Sequence, residues 1–306
     1  MDQRPCPICK QTDRTVTVAE STVNENQLGQ FAFASRKLPE YMHHRLLRCS
    51  RCDLLYCSPI PTANSLAREY EAAAFDSGPE ARCAADTYGK LLPWIKMNLP
   101  DCDGALDIGT GDGAFLQSLL VAGFTNVIGV EPSSAPIAAA DPAVRPLIRH
   151  GVFQPGLFAD AQFSIVCCFQ TLEHITDPLA ICTEARRILK PGGAIFLIVH
   201  NRRALSAKIL GRKSPIFDVE HLQLFSRTSM RNLLREAGFV QPRVGVLINR
   251  YPLRYWLRLF PMPAGGKARL IRFLDAVNFG QLPIAIPAGN MLAIGFKQKT
   301  TAVSPR

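Results

Sequence analysis

Two carboxylates and three glycines carry the first chemical signal. In ALDIGTGDGAF, Gly109, Gly111 and Gly113 fall within five residues, directly after an apolar run that contains Asp107. Gly109 and Gly111 permit a tight turn and, lacking side chains, let a ligand approach the backbone. Gly113 lets the following helix pack closely. Glu131 ends the next apolar run, VIGVE, about 20 residues on, where a carboxylate can accept hydrogen bonds from both hydroxyls of a ribose. The same turn also fits a nicotinamide dinucleotide, since Gly109, Gly111 and Ala114 match that fingerprint read loosely. Asp107 argues the other way. It stands two residues before the first glycine, where a pyrophosphate would be repelled and a ligand amine or ammonium held. Asp112 adds a second negative charge inside the loop.

Thiols supply the second signal. CPIC holds Cys6 and Cys9, and CSRC holds Cys49 and Cys52. Two such pairs can place four thiolates at the corners of a tetrahedron, the arrangement of a structural zinc site, and a small unit gains much of its folding energy from the metal. The 39 residues between the pairs read as strands and turns, in TVTVAE and FAFAS. The alternative is four unconnected thiols in a poorly cored segment. His43, His44 and Cys57 lie nearby but lack the pair spacing. Cys167 and Cys168 are adjacent in an apolar strand-like run and read as buried thiols.

These groups need a scaffold, and the chain of 306 residues is long enough for one large domain and a small one. With 47% hydrophobic and 20% charged residues it has globular composition, which argues against a disordered or fibrous protein. The net charge of +10 suits an acidic partner such as nucleic acid, anionic lipid or a phosphorylated small molecule, and equally a protein that is merely basic. The polar opening MDQRPCPICK has no secretory apolar core, and no run reaches the roughly 18 apolar residues of a membrane span. A cytoplasmic site of action is expected. Residues 1–60 form the cysteine-marked unit and 61–100 a helical link. From 101 to 300 strands and helices alternate, with a basic aromatic insertion at 251–290. GALDIG, NVIGVE, FSIVCCFQ, AIFLIVH, VQPRVGVLI and MLAIGFK read as strands. DPLAICTEARRIL reads as a helix capped by Asp177, and SRTSMRNLLREAG as one starting near Ser226 or Thr228. Near-continuous apolar strands between helices predict an α/β, doubly wound, mostly parallel sheet covered on both faces.

The order of ALDIGTGDGAF, VIGVEPS, FSIVCCFQTLEHITDP, EARRILKPGGAIFLIVHN, HLQLFSRTSMRNLLREAGF and NMLAIGFKQK resembles the class I S-adenosylmethionine-dependent methyltransferases over about 104–297. The resemblance implies a Rossmann-like sheet of seven strands, the last antiparallel. It implies that Asp107, Gly109, Thr110 and Gly111 hold the methionine part of S-adenosylmethionine. Glu131 would bind the ribose, Pro132 or Ser133 would border the adenine, and Gln170, Thr171 and Leu172 would line the other side, near the methyl group. Two positions depart from the family pattern. Ser164 replaces a common acid before the fourth strand, which affects a strand cap or internal hydrogen bond. Val152 follows Gly151 where Asp is common, which would weaken adenine recognition or shift it to a backbone N–H. The cysteine pairs ahead of such a core look like bacterial enzymes acting on small molecules, including sugar-pathway enzymes.

Methyl transfer needs the nucleophile in line with the sulfonium, close to 3 Å from the methyl carbon, in a dry pocket. A hydroxyl or acidic carbon also needs a base, for which neutral histidine is suited. His221 is favoured as base or acceptor ligand, because its loop should overhang the acceptor. The alternative is that it bonds to backbone and pins that loop. His174 and Glu173, in TLEHI, are further candidates that also suit bracing roles, and His200 ends its strand nearby. The 251–290 insertion should form part of a lid. Its Tyr251, Tyr255 and Trp256 lie among Arg250, Arg254 and Arg258. This pattern fits grip on a phosphorylated, nucleotide-linked or lipid-linked acceptor, a peripheral membrane contact through 251–275, or plain packing and a homodimer contact. The leading expectation is a small-molecule methyltransferase. An RNA or protein methyltransferase is a rival, but the cysteine pairs are not set among clustered basic residues and exposed aromatics, and QTLEH stands where many base-amine methylating enzymes have Asn-Pro-Pro-Tyr. A dehydrogenase and a non-catalytic cofactor-binding scaffold are the remaining alternatives.

Overall fold

The apolar runs pair into one seven-stranded sheet. The computed structural model describes residues 1–29, 31–34, 39–260 and 262–299. The strands of the large sheet are β1 (Asp103–Ile108), β2 (Thr125–Glu131), β3 (Ile148–His150), β4 (Phe163–Phe169), β5 (Leu189–His200), β6 (Val240–Val246) and β7 (Asn290–Phe296). Their spatial order is β6-β7-β5-β4-β1-β2-β3. β1 to β5 pair in parallel, while β7 runs antiparallel to both β5 and β6. Every residue of β4 is buried, as expected of a strand covered on both faces. The chain leaves β1 toward β2 and β3, then returns to place β4 on the other side of β1. The ends of β1 and β4 therefore flank the switch point at which open α/β sheets bind ligands.

Local signals fix the helices around this crevice. Helix Ala114–Val121 follows the glycine turn from a left-handed Gly113, and Gly123, also left-handed at φ +84°, turns the chain into β2. Helix Pro178–Ile188 is capped by Asp177, whose carboxylate accepts from the Ala180 N–H at 3.1 Å. Helix Arg227–Glu236 starts at Ser226, which exchanges side-chain and backbone hydrogen bonds with Ser229.

The cysteine-bearing segment forms a small antiparallel sheet from Thr15–Ala19, Leu46–Cys49 and Leu55–Cys57. TVTVAE supplies the first of these strands, whereas Phe31–Phe33 of FAFAS lie in a turn and Ser35 lies outside the described residues. The fourth strand comes from far along the chain, with Leu55 opposite Leu224 and Tyr56 opposite Gln223. Arg4 ties the two regions together. Its guanidinium donates to Cys57 O at 2.8 Å, Thr176 O at 2.8 Å and Leu222 O at 2.5 Å. Cys6, Cys49 and Cys52 share one buried cluster with Leu172, Phe225 and Met230. Helices Ala63–Ala72 and Gly78–Gly89 of the linking segment pack over the crevice as its wall. Among the described residues, no helix is long and apolar enough to cross a membrane.

Candidate functional site

A cavity of about 230 Å³ runs from the glycine turn to a group of histidines. At the glycine end, Gly109 and Thr110 both donate their N–H groups to Val130 O, at 2.9 and 3.2 Å, so the turn is tied to β2. Gly109 is left-handed at φ +72°, and a Cβ there would collide with the Thr171 side chain; Gly111 is left-handed at φ +59° with open space above it. Asp107 is buried and accepts from the Thr110 hydroxyl at 2.9 Å. The Glu131 carboxylate accepts from Gly111 N–H at 2.8 Å and Ser133 N–H at 2.9 Å. Each of its oxygens keeps a further lone pair for a ligand hydroxyl. Burial raises the Glu131 carboxyl above its ordinary value, against the pull of those two N–H groups. Pro132 and Ser133 continue the lining.

Across from this turn stand Gln170 and Thr171, which follow β4. Gln170 adopts φ +50° and donates its N–H to Ile198 O at 2.6 Å. Both line the cavity, but Leu172 does not. Its side chain is wholly buried in the core beneath, and its carbonyl accepts from Gln223 Nε2 at 2.6 Å. The left-handed step at Gln170 turns the chain downward, so the expected lining role for Leu172 is corrected. Val152 is 54% exposed and outside the cavity lining. Ser164 bonds to the Asp101 carboxylate and lies 2.7 Å from Asp103 O, with Lys190 on the same carboxylate at 3.0 Å.

At the far end, His174, His200 and His221 line the cavity with Asp218 and Glu220. Ring centroids are 4.9 Å apart for His174 and His221, and 5.2 Å for His200 and His221. His221 Nδ1 lies 2.9 Å from Ile216 O, so it both faces the cavity and pins its loop. Burial holds the His174 imidazole below its ordinary value, against the field of Glu173. Glu173 is wholly buried behind the lining. One of its oxygens holds His200 through the backbone N–H at 2.6 Å and Nδ1 at 3.0 Å. This pairing of residues 27 apart was not legible in sequence: β5 ends beside the loop after β4 only once the strands pair. Glu173 Oε2 and Tyr70 Oη are buried with no hydrogen-bond partner among the described residues. Burial, aided by Glu220 and Asp218, raises the Tyr70 hydroxyl well above its ordinary value.

The lid carries less of the site than its composition suggests. Tyr255 and Leu259 reach the cavity, while Tyr251 is buried against Tyr255 with centroids 4.5 Å apart. Trp256 donates to Ile284 O at 3.0 Å and does not form an exposed rim. Arg258 faces Glu80 at 3.8 Å and Asp76 at 3.9 Å. No Lys or Arg lines the cavity among the described residues.

The four N-terminal thiols meet outside this cavity. One sulfur from each of Cys6, Cys9, Cys49 and Cys52 lies within 4.8 Å of the others, and Cys9 and Cys49 are 3.6 Å apart. A tetrahedral ion with metal–sulfur bonds of about 2.3 Å needs sulfurs about 3.8 Å apart, so the spacing fits zinc. Burial pushes the Cys6 thiol up to about 12, which a bound cation would offset by favouring thiolate. His43, His44 and Cys57 stay out of this group.

A family model described as a methyltransferase domain matches residues 80–241. The chain belongs to this family and is an S-adenosylmethionine-dependent methyltransferase of class I. Ubiquinone biosynthesis O-methyltransferase of Acinetobacter baumannii (strain AYE) is 26% identical over 183 residues, 54% of this chain and 77% of that protein. The enzyme of the same description from Pseudomonas aeruginosa (strain UCBPP-PA14) is 32% identical over 111 residues, 32% of this chain and 44% of that one. Among solved structures, a Thermotoga maritima SAM-dependent methyltransferase, described as a possible histamine N-methyltransferase, aligns with TM-score 0.47 at 20% identity, covering 71% of this chain and 91% of that one.

Proposed function

We propose that the protein methylates an oxygen or an acidic carbon on the uncharged, hydroxyl-bearing end of a small molecule. The observation that carries this reading is one cavity joining the glycine turn to three histidines. A phosphate at its histidine end would meet the carboxylates of Asp218 and Glu220. The phosphate or lipid portion of a nucleotide-linked or lipid-linked acceptor would lie outside. There the insertion carries exposed Arg250, Arg269 and Arg272 and exposed Phe260, Phe273 and Phe279, a composition suited to peripheral contact with anionic lipid. The 7% exposure of His221, with His174 and His200 half-buried beside it, supports a reacting end set below the surface. This favours a small acceptor over a base or residue of a polymer.

S-adenosylmethionine, when bound, supplies a methyl group on a positively charged sulfur. The residues fit it: Gly111 leaves space for close approach, Glu131 accepts ribose hydroxyls, and Asp107 with Thr110 receives the ammonium end. Pro132 and Ser133 border the adenine, and Gln170 and Thr171 line the side toward the acceptor. His200 is the proton acceptor in this reading, because the Glu173 carboxylate at its Nδ1 orients the ring and stabilises the imidazolium. Glu173 is thus a positioning residue, and His174 and His221 hold the acceptor. Cys6, Cys9, Cys49 and Cys52 would hold a structural zinc, making residues 1–60 a zinc-ribbon-like unit, 61–100 a cavity wall and 101–300 the transfer unit. The test is incubation with methyl-labelled S-adenosylmethionine and panels of nucleotide sugars, polyprenyl-phosphate sugars, small phenols and RNA. Label should enter one of the small-molecule classes and not RNA; label entering RNA alone would reverse the assignment.

A further inference from the structure

The histidine end of the cavity contains a donor set that proton transfer alone does not require. One ring nitrogen from each of His174 and His221 and a Glu220 carboxylate oxygen lie within 4.8 Å of one another. Both rings are oriented by backbone. His174 Nδ1 lies 3.2 Å from Glu220 O, and His221 Nδ1 lies 2.9 Å from Ile216 O. An Nδ1 facing a carbonyl carries the ring proton in a neutral ring, and the Glu220 carboxylate also lies 3.8 Å from His174 Nδ1. Metal-bound imidazoles hold their other nitrogen in this way, which fixes the tautomer and raises ligand basicity. The donors come from two segments, the loop after β4 and the loop before helix Arg227–Glu236. That second loop is fastened to the first by Leu222 N–H donating to Glu173 O at 2.9 Å. His200 and the unpartnered Tyr70 hydroxyl stand beside the same point.

We propose that His174, Glu220 and His221 bind one divalent first-row cation at the acceptor end of the cavity, in addition to any ion held by the cysteines. Two imidazoles and one carboxylate on one side of an ion suit Fe²⁺, Mn²⁺, Co²⁺, Ni²⁺ or Zn²⁺ and leave positions open for ligand oxygens. Its role in transfer rests on the acceptor reading above; its binding does not. With an acceptor hydroxyl on the cation, the O–H becomes more acidic; with an enolisable carbonyl on it, the adjacent C–H does, and that proton passes to His200. The new bond forms to the methyl carbon as the carbon–sulfur bond breaks, and the electron pair of that bond stays on sulfur as a neutral thioether.

The experiment is titration of zinc-loaded, full-length protein with Co²⁺, followed by calorimetry and visible absorption. Cobalt on imidazole and carboxylate gives weak d–d bands, whereas cobalt on the cysteines gives an intense thiolate charge-transfer band. The expected result is uptake of one equivalent with micromolar affinity and no charge-transfer band, weakened at least about tenfold in Glu220→Gln and in His174→Asn. Retained S-adenosylhomocysteine binding shows that each variant is folded. Absence of uptake by the wild type, uptake accompanied by the thiolate band, or equal uptake by wild type and both variants overturns the proposal. S-adenosylhomocysteine affinity of the wild type, measured separately, judges the transfer reading without reference to cobalt.

Discussion

Glu131 is held in the cavity by two backbone N–H groups yet raised by burial, and these opposed effects give it a pH signature. Its folded-state value lies above its unfolded one, so protonation favours the folded chain. Its stability contribution is fully present below the unfolded value and is lost as pH rises through the folded one. Ligand binding has the opposite sign, because a ribose requires the carboxylate as acceptor. Affinity for S-adenosylhomocysteine should therefore fall as pH is lowered, beginning at a higher pH than an ordinary glutamate would give, and isothermal titration of Glu131→Gln should show no such slope. The His200–Glu173 pair makes a separate prediction. His200→Asn should lower turnover by about two to four orders of magnitude with S-adenosylhomocysteine affinity unchanged. Glu173→Gln should lower turnover less and shift its pH profile, since Glu173 acts through the ring it orients. Equal loss of cofactor affinity in both variants would show that the pair shapes the fold of the cavity instead of the proton transfer.

Elements place these groups through a few backbone constraints, and the glycine turn separates two of them. Gly109 is left-handed beneath Thr171, while Gly111 is left-handed under open space. Gly109→Ala should therefore destabilise the protein by more than the about 1–3 kcal/mol of backbone strain alone. Gly111→Ala should stay within that range and act chiefly on ligand affinity. Thermal melts beside calorimetric titrations check this order. Here sequence and structure coincide, because a left-handed turn demands glycine and leaves it visible. The Asp177 cap was legible because capping needs a short side-chain acceptor, and of Ser226 and Thr228 the structure uses Ser226. Leu172 was not. In Gln170-Thr171-Leu172 one left-handed residue decides which side chains face inward, and that residue is not a glycine. The insertion misleads similarly: YPLRYWLRLF has an amphipathic pattern, but its Tyr251, Tyr255 and Trp256 are taken up by the core, by Ile284 O and by one another.

At the scale of the molecule, the cysteine pairs bear on the whole transferase. The small sheet takes its fourth strand from Gln223–Leu224, and its core is continuous with that under the large sheet. Sequence could not show this, since a two-residue strand paired across more than 160 positions leaves no local pattern. The pairing of the thiols, by contrast, was visible because residue type and spacing alone carry it. Removal of the proposed zinc by a strong chelator, or Cys49→Ser, should lower the melting temperature in a single calorimetric transition and weaken S-adenosylhomocysteine binding with it. Two separate transitions would mean that the units fold independently. The central claim is that Asp107 and Glu131 hold one nucleoside–amino acid ligand across the glycine turn. Calorimetric titration of S-adenosylhomocysteine into wild type, Asp107→Asn and Glu131→Gln tests it most directly. The account predicts one site per chain, weakened about tenfold or more in each variant; a folded wild type that binds none, or equal affinity in all three proteins, would contradict it.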